Sequence, residues 1–449
     1  GPNVRGLRMR DSSGTDVPLQ FLTTQRYGDG SLKDAKVAFI ARDVPAFGYD
    51  LYQITPSESE PSGGKKPDGS HARASTEHQD SGSIENEFYR MTFDLWTGEM
   101  KELYDKAGHW DVLGGRPGNI VAREQDGGDF WELYGTLNGG RLTAMTRKQG
   151  LLPSVGTHLS SEQVGGAGST FSGPVYSQFS LSHPFGDGNF ATTVRVYPGM
   201  HRIDIHTRLI NNDKFVRYRV LVPTSIENGR RFDEIPFGAI ERPVEQEFPA
   251  QNWMDYSDGT KGLALLNRGL PGNNVAGGTL MLSLLRSARI SAYPFFGGYE
   301  PGVSSDLGLE LGVERTFDYA LVPHTGDWHQ AEVYKAGWEF NHPLLARKVT
   351  AHGGGLPHRW GLLDVSQPNV VASALMPGRD GSVMLRIYEA TGKPANGVEI
   401  KFHVPVSSAS ETNLLGDDIR PVPAANDTLH LDLRPFEIRT LKLRLHPLG

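Results

Sequence analysis

The chain has 449 residues, a formal net charge of −7, 38% apolar residues and 9% aromatics, enough to bury real cores and too long for a single ordinary one. The charge is mild and no long block of like charges occurs, which argues against a nucleic-acid surface or a basic membrane face; no apolar run approaches the about 18 residues of a spanning helix. Cysteine is absent, which excludes disulfides and thiolate metal sites and leaves the compartment open.

Gly 54 and Pro 29 punctuate the chain in a way that suits many short strands joined by turns. The sequence opens Gly1-Pro2, as a cleaved purification tag would leave it, so upstream sequence is expected. Residues 1–56 read as a small N-terminal β unit, with breaks at Ser12-Ser13-Gly14 and Tyr27-Gly28-Asp29-Gly30 and a strand at Lys36–Ile40. In 57–83 the apolar residues are Ala72, Ala74 and little else, a composition that cannot order itself and reads as a flexible linker or long loop.

From 84 to 347 the period-2 signal predicts a large β unit. Val194 and Val196 alternate with Arg195 and Tyr197; after Pro198-Gly199, Ile203, Ile205, Thr207 and Leu209 alternate with Asp204, His206 and Arg208. That is a hairpin with one wet and one dry face. Leu280–Leu285 is a continuous apolar run, suited to a strand inside a sandwich, and Phe317–Val322 is a further strand. One helix is expected over 327–340, where Trp328, Ala331, Tyr334 and Trp338 share a side and Asn341-His342-Pro343 ends the run. Residues 348–449 form a C-terminal β unit, in which Leu429, Leu431 and Leu433 answer Leu441, Leu443 and Leu445 across a bend at Pro435. The expected fold is all-β and built of several units.

Sugars offer C–H faces to aromatic rings and hydroxyls to carboxylates. Asp129, Trp131, Glu132 and Tyr134, in the stretch DGGDFWELYG, put these groups side by side and are the foremost substrate-binding candidates. Glu241-Arg242 could also orient a substrate, with Arg242 equally suited to pair with a strand carboxylate. His201, Asp204 and His206 make a poor metal set, because His201 has the opposite strand parity to the other two. His324, Asp327 and His329 surround the helix start, where Asp327 suits a helix-start carboxylate better than a ligand. The triplet Asn426-Asp427-Thr428 fits a glycosylation acceptor, a pattern common by chance.

Several stretches resemble the C-terminal half of glycoside hydrolase family 38, the retaining α-mannosidases: SIENEFYRMTFDLWTGEMKELYDKAG from Ser83, VRVYPGMHRIDIHTRLIN from Val194, FGAIERP with KGLALLNRGLPG, ERTFDYALVPHTGDW with GWEFNHPLLA, and VMLRIYEATGK with PFEIRTLKLRL. They occur in the family's order over nearly the whole chain. The resemblance implies a large galactose-mutarotase-like super-sandwich flanked by smaller β-sandwich modules. It also implies that the catalytic carboxyl pair and a zinc ion belong to an N-terminal α/β domain, for which this chain has neither the βα alternation nor the His-His-Asp segment. No catalytic residue and no cofactor are therefore expected in this chain, with zinc expected in the missing domain. The partners implied are a mannose-type glycan and that catalytic domain, homo-oligomerisation staying open. The alternatives are a stand-alone carbohydrate-binding protein, or a lyase or epimerase on the same super-sandwich.

Overall fold

A computed structural model describes residues 4–59, 80–126, 157–288, 311–350, 352–378 and 380–446. It is all-β, with one α-helix among the described residues. Most of the linker reading at 57–83 lies outside them. The chain clusters into two compact units, one made of 65–234 with 240–344 and the other of 1–64, 235–239 and 345–449.

The larger unit carries a six-stranded and a nine-stranded antiparallel sheet and a four-stranded one spanning Ser81–Asp111. The six-stranded sheet runs in the order His158–Leu159, Ile120–Gln125, Val216–Pro223, Thr279–Arg286, Gly272–Ala276, Phe248–Pro249. At the centre of the nine-stranded sheet lie Gly188–Val196, Ile203–Ile210, Glu314–Thr325 and Lys261–Asn267. The wet-and-dry hairpin forms as its alternation predicts: Val194 lies opposite Ile205 and Val196 opposite Ile203, all buried in the core. Leu280, Leu282 and Leu284 meet the same core from the six-stranded sheet, so one hydrophobic layer is shared by both sheets. Phe93 and Phe179 stack within it at 4.1 Å.

The helix spans Val333–Asn341 and so begins six residues later than the apolar spacing suggests. Residues 328–332 are turns, Glu332 sits in the left-handed region (φ 50°), and Asp327 caps the turn by accepting from the backbone N–H of His329 and Gln330 at 3.0 Å each. Asp327 thus starts a turn as an N-cap carboxylate would, and Glu332 in the left-handed region interrupts it before the regular helix begins. The helix covers the face of the nine-stranded sheet turned away from the core, at Trp253–Ser257 and Lys261–Asn267. Gly337 permits this approach, since a Cβ there would lie 2.6 Å from the Trp253 ring.

In the smaller unit the two ends of the chain meet: Tyr49–Asp50 pairs with Arg359–Trp360, and the Tyr49 hydroxyl donates to the Pro357 carbonyl at 2.8 Å. Its principal core lies between a four-stranded and a five-stranded sheet. Here the two leucine runs are not hairpin partners. Thr428–Leu433 belongs to the four-stranded sheet, Ile438–Leu445 to the five-stranded one, and their leucines meet in the core between them. Strand alternation fixes which face is buried; it does not choose between pairing edge to edge and facing across a sandwich.

One carboxylate organises an end of this unit. Glu389, fully buried, accepts from Asn369 Nδ2 (3.0 Å), the N–H and hydroxyl of Thr391 (2.8 and 2.5 Å), and the N–H groups of Gly392, Lys393 and Phe436 (2.7, 3.2 and 3.1 Å). Burial pushes its pKa up, but these donors outweigh burial and hold it below the usual carboxylate value. Glu389→Gln replaces an acceptor oxygen with a donor that faces other donors. It should cost about 2–4 kcal/mol at pH 7 by urea unfolding. The stability owed to this carboxylate is present above the unfolded carboxylate pKa and lost as pH falls, so the gap between wild type and variant should narrow on acidification.

Candidate sugar-facing site on the six-stranded sheet

Val216–Pro223 reads VRYRVLVP, and the strand period divides it cleanly. Val216, Tyr218, Val220 and Val222 enter the hydrophobic core. Arg217 and Arg219 therefore project from the opposite face of the sheet. The neighbouring strand matches this register: Glu124 lies opposite Arg217 and Ala122 opposite Arg219, and Asp126 follows on the same face. On the other side Arg219 is opposite Ser283 and Arg217 opposite Arg286.

The result is a buried lattice of alternating charge. Arg219 donates from Nε and Nη2 to both oxygens of Glu124 at 2.5 and 2.6 Å, with neither side chain exposed. Its Nη1 reaches Asn274 Oδ1 at 3.5 Å and Met281 Sδ at 3.1 Å. Arg286 grips Asp126 through two bonds of 2.6 and 3.0 Å. Arg217 Nη2 donates to both Glu247 oxygens at 2.6 Å and to the Ser283 hydroxyl. Burial raises the Glu247 pKa, but Arg217 and Arg219 overcome it and hold the group below the usual carboxylate value.

Arg217 is 1% exposed, and its Nε and Nη1 have no hydrogen-bond partner among the described residues. These two buried guanidinium donors are the unsatisfied groups among those named above. The three acids of the lattice are each gripped by a guanidinium.

Asp129, Trp131, Glu132 and Tyr134 lie outside the described residues. They begin three positions after Asp126, which is on the charged face. Arg242 is placed elsewhere: its guanidinium lies 4.6 Å from the centre of the Phe248 ring and acts on the buried carboxylate of Asp233. Asp233 is itself held by Arg231 at 2.9 and 2.6 Å, and Arg231 also bonds Asn273 Oδ1 at 2.9 Å. The Nε of Arg242 has no hydrogen-bond partner among the described residues, and Arg242 acts on Asp233 through its charge.

The histidine sets resolve into separate contacts. His201 stacks on Phe88 with centres 3.5 Å apart, Asp204 takes Arg202 at 2.6 Å, and His206 takes Asp318 at 2.8 Å. His324 Nε2 pairs with Asp255 at 2.8 Å, and His329 with Asp327 at 3.3 Å. Among the described residues no three His, Asp or Glu converge, so they do not fit a zinc ion, which needs three or four ligands.

Two groups beneath the helix layer carry raised pKa values. Burial pushes Glu234 up to about 7, against a backbone N–H from Asn252 at 2.9 Å that pulls the other way. His324 is lowered by burial but raised overall by Asp255. It lies over Gly262, where any Cβ would collide with its ring at 2.2 Å. A raised folded pKa gives stability that is complete below the unfolded value and lost as pH rises through the folded one. For Glu234 that window runs from 4.5 to about 7. The melting temperature should therefore fall between pH 5 and pH 8, and Glu234→Gln should flatten the slope, recovering at most about 3 kcal/mol at the alkaline end.

Removing one member of the Glu124–Arg219 pair leaves an unpaired buried charge. Glu124→Gln alone should cost about 3–5 kcal/mol in denaturant titrations. Adding Arg219→Met should return part of that loss, giving a coupling of at least about 1 kcal/mol in the double-mutant cycle.

Residues 84–290 match the glycosyl hydrolases family 38 C-terminal domain, and residues 369–441 match that family's C-terminal beta sandwich domain. Alpha-mannosidase 2C1 of Homo sapiens is 31% identical over 267 residues, covering 56% of this chain and 24% of the human protein. Alpha-mannosidase G of Dictyostelium discoideum is 25% identical over 454 residues, covering 96% of this chain and 38% of that protein. The chain thus spans about a quarter to two fifths of these relatives. The crystal structure of an alpha-mannosidase from Enterococcus faecalis superposes with a TM-score of 0.75 at 16% identity, over 98% of this chain and 51% of that one, which establishes the common fold. In domain content and order, this chain resembles the C-terminal β half of the glycosyl hydrolase family 38 α-mannosidases.

Proposed function

We propose that this chain is the non-catalytic β portion of an α-mannosidase-like glycoside hydrolase, which supports the catalytic domain and contributes to sugar binding. The observation that carries the reading is the match, in chain order, of residues 84–290 and 369–441 to the family's C-terminal domain and C-terminal beta sandwich domain. Asp129, Trp131, Glu132 and Tyr134 would add carboxylates and ring faces.

Retaining hydrolysis needs two carboxyl groups about 5–5.5 Å apart, one a free nucleophile and one a proton donor. The acids of the charged face are gripped by arginines instead, so the reactive pair and the zinc that the family implies are assigned to polypeptide outside this chain. The partners are then a mannose-type glycan and the catalytic domain.

Purified chain should release no nitrophenolate from 4-nitrophenyl α-mannoside, with or without added zinc, while binding mannose-type glycans weakly in calorimetry. Trp131→Ala should weaken that binding about tenfold, through loss of a ring face for the sugar. Turnover by the chain alone would remove the non-catalytic assignment, and unchanged binding by the variant would remove the sugar contact assigned to 129–134.

A further inference from the structure

The solvent face of the nine-stranded sheet holds a second concavity, beside the C-terminal end of the helix. It is about 320 Å³ and is lined by Thr193, Arg195, Asp204, His206, Asp318 and Phe340, with Tyr197 and Arg268 at its edges. That volume is at the small end of the range for small-molecule pockets. Strand register puts the polar groups in rows: Thr193 lies opposite His206 and His206 opposite Asp318, while Arg195 lies opposite Asp204. Their neighbours in sequence, Val194, Ile205 and Tyr319, are buried in the core, so the backbone beneath these rows is fixed from behind.

The walls are tied down as well. His206 Nδ1 bonds Asp318 Oδ1 at 2.8 Å, and Arg268 reaches the other oxygen of the same carboxylate at 3.4 Å. Arg268 also donates to the Phe340 carbonyl at the helix end, and its guanidinium lies 4.5 Å from the Phe340 ring centre. Arg202 holds Asp204 at 2.6 Å, and Arg195 is fixed by Gln178 at 2.6 Å while lying 5.0 Å from the Tyr176 ring centre. Pairs exposed to this degree contribute little to stability. What they do is hold donors and acceptors at set positions around a hollow.

We infer that this concavity is a second saccharide-binding site, for a neutral pyranose unit, separate from the charged face of the six-stranded sheet. The charge pattern selects the ligand class. A free anion would face Asp204 and Asp318, and a free cation would face Arg195, Arg202 and Arg268. Vicinal hydroxyls can donate to the carboxylates and accept from the guanidiniums at once. One mannose-sized unit fits the space.

The test uses the whole chain, and the His206 signal together with Thr193→Met separates this hollow from any other sugar contact. Methyl α-mannoside, an α-linked mannotriose and inorganic phosphate are titrated in turn, read by calorimetry and by the imidazole Cε1–H signal of His206 in ¹³C-histidine NMR. The expected result is saturable saccharide binding that moves the His206 signal, is weakened at least about tenfold by Asp318→Asn, and is blocked by Thr193→Met, which fills the hollow without touching an ion pair. If Asp318→Asn fails to fold, Thr193→Met and the His206 signal decide. Absence of saccharide binding overturns the inference, and so does binding that leaves His206 unmoved or survives Thr193→Met. A site that takes phosphate and no sugar overturns it too.

Discussion

The six-stranded sheet is buried on both faces, and the second face is charged. A guanidinium and a carboxylate both taken out of water each forfeit several kcal/mol of solvation, which only close, multiply bonded pairing offsets. The structure meets this with geometry. Arg219–Glu124 and Arg286–Asp126 are two-bond pairs, and Arg217 holds both oxygens of Glu247. Cross-strand register places the partners on one face, with Glu124 diagonal to Arg219 and within reach of its long side chain. One slip of register would send Arg217 and Arg219 into the hydrophobic layer and Tyr218 and Val220 out of it. The lattice therefore selects the pairing of the sheet as firmly as the core does.

The same bonding leaves the face rigid, its side chains fixed by several bonds each. Arg217 combines fixation through Nη2 with open donors at Nε and Nη1. Opposite, across the shared hydrophobic layer, the nine-stranded sheet uses the reverse strategy: its outer polar rows stay half exposed and are tied by single pairs such as His206–Asp318. Two polar faces thus flank one apolar core, and each is positioned by it.

The strand alternation at 194–209 was fully legible, since Val, Ile and Leu at every second position leave one way to place the hairpin. The terminal leucine runs were legible in burial but not in partnership, because edge pairing and face-to-face packing ask for the same alternation. The helix start was displaced because Glu332 adopts a left-handed backbone between the turn begun at Asp327 and the helix, and apolar spacing carries no information on that break. The charged face passed unnoticed in the sequence, although its signal is present: Arg217 and Arg219 flank Tyr218, and Glu124 and Asp126 flank Gln125. Charges two apart within otherwise apolar strands read as a wet face. Only the pairing of those two strands shows that they neutralise one another out of water. The neighbouring stretch 129–134 drew attention for its sugar-like chemistry, and Arg242 lies over the Phe248 ring.

How acids are used separates a scaffold from a hydrolytic centre. A glycosidase pulls the proton affinities of two carboxyl groups apart, leaving one ionised and one protonated, both facing the bond to be broken. On the charged face of this chain the pull is toward neutralisation of charge by arginine, as the lowered pKa of Glu247 illustrates. The one carboxyl raised to about 7, Glu234, owes that value to burial and takes a backbone N–H from Asn252. It is 5% exposed, on a strand whose neighbour carries the buried Trp253. A proton donor must reach its leaving group, and an acid sealed at that depth reaches only the protein around it. Its protonation therefore bears on folding stability. The buried acids named here hold strands together, and the unsatisfied donors of the charged face lie on its basic side, at Arg217.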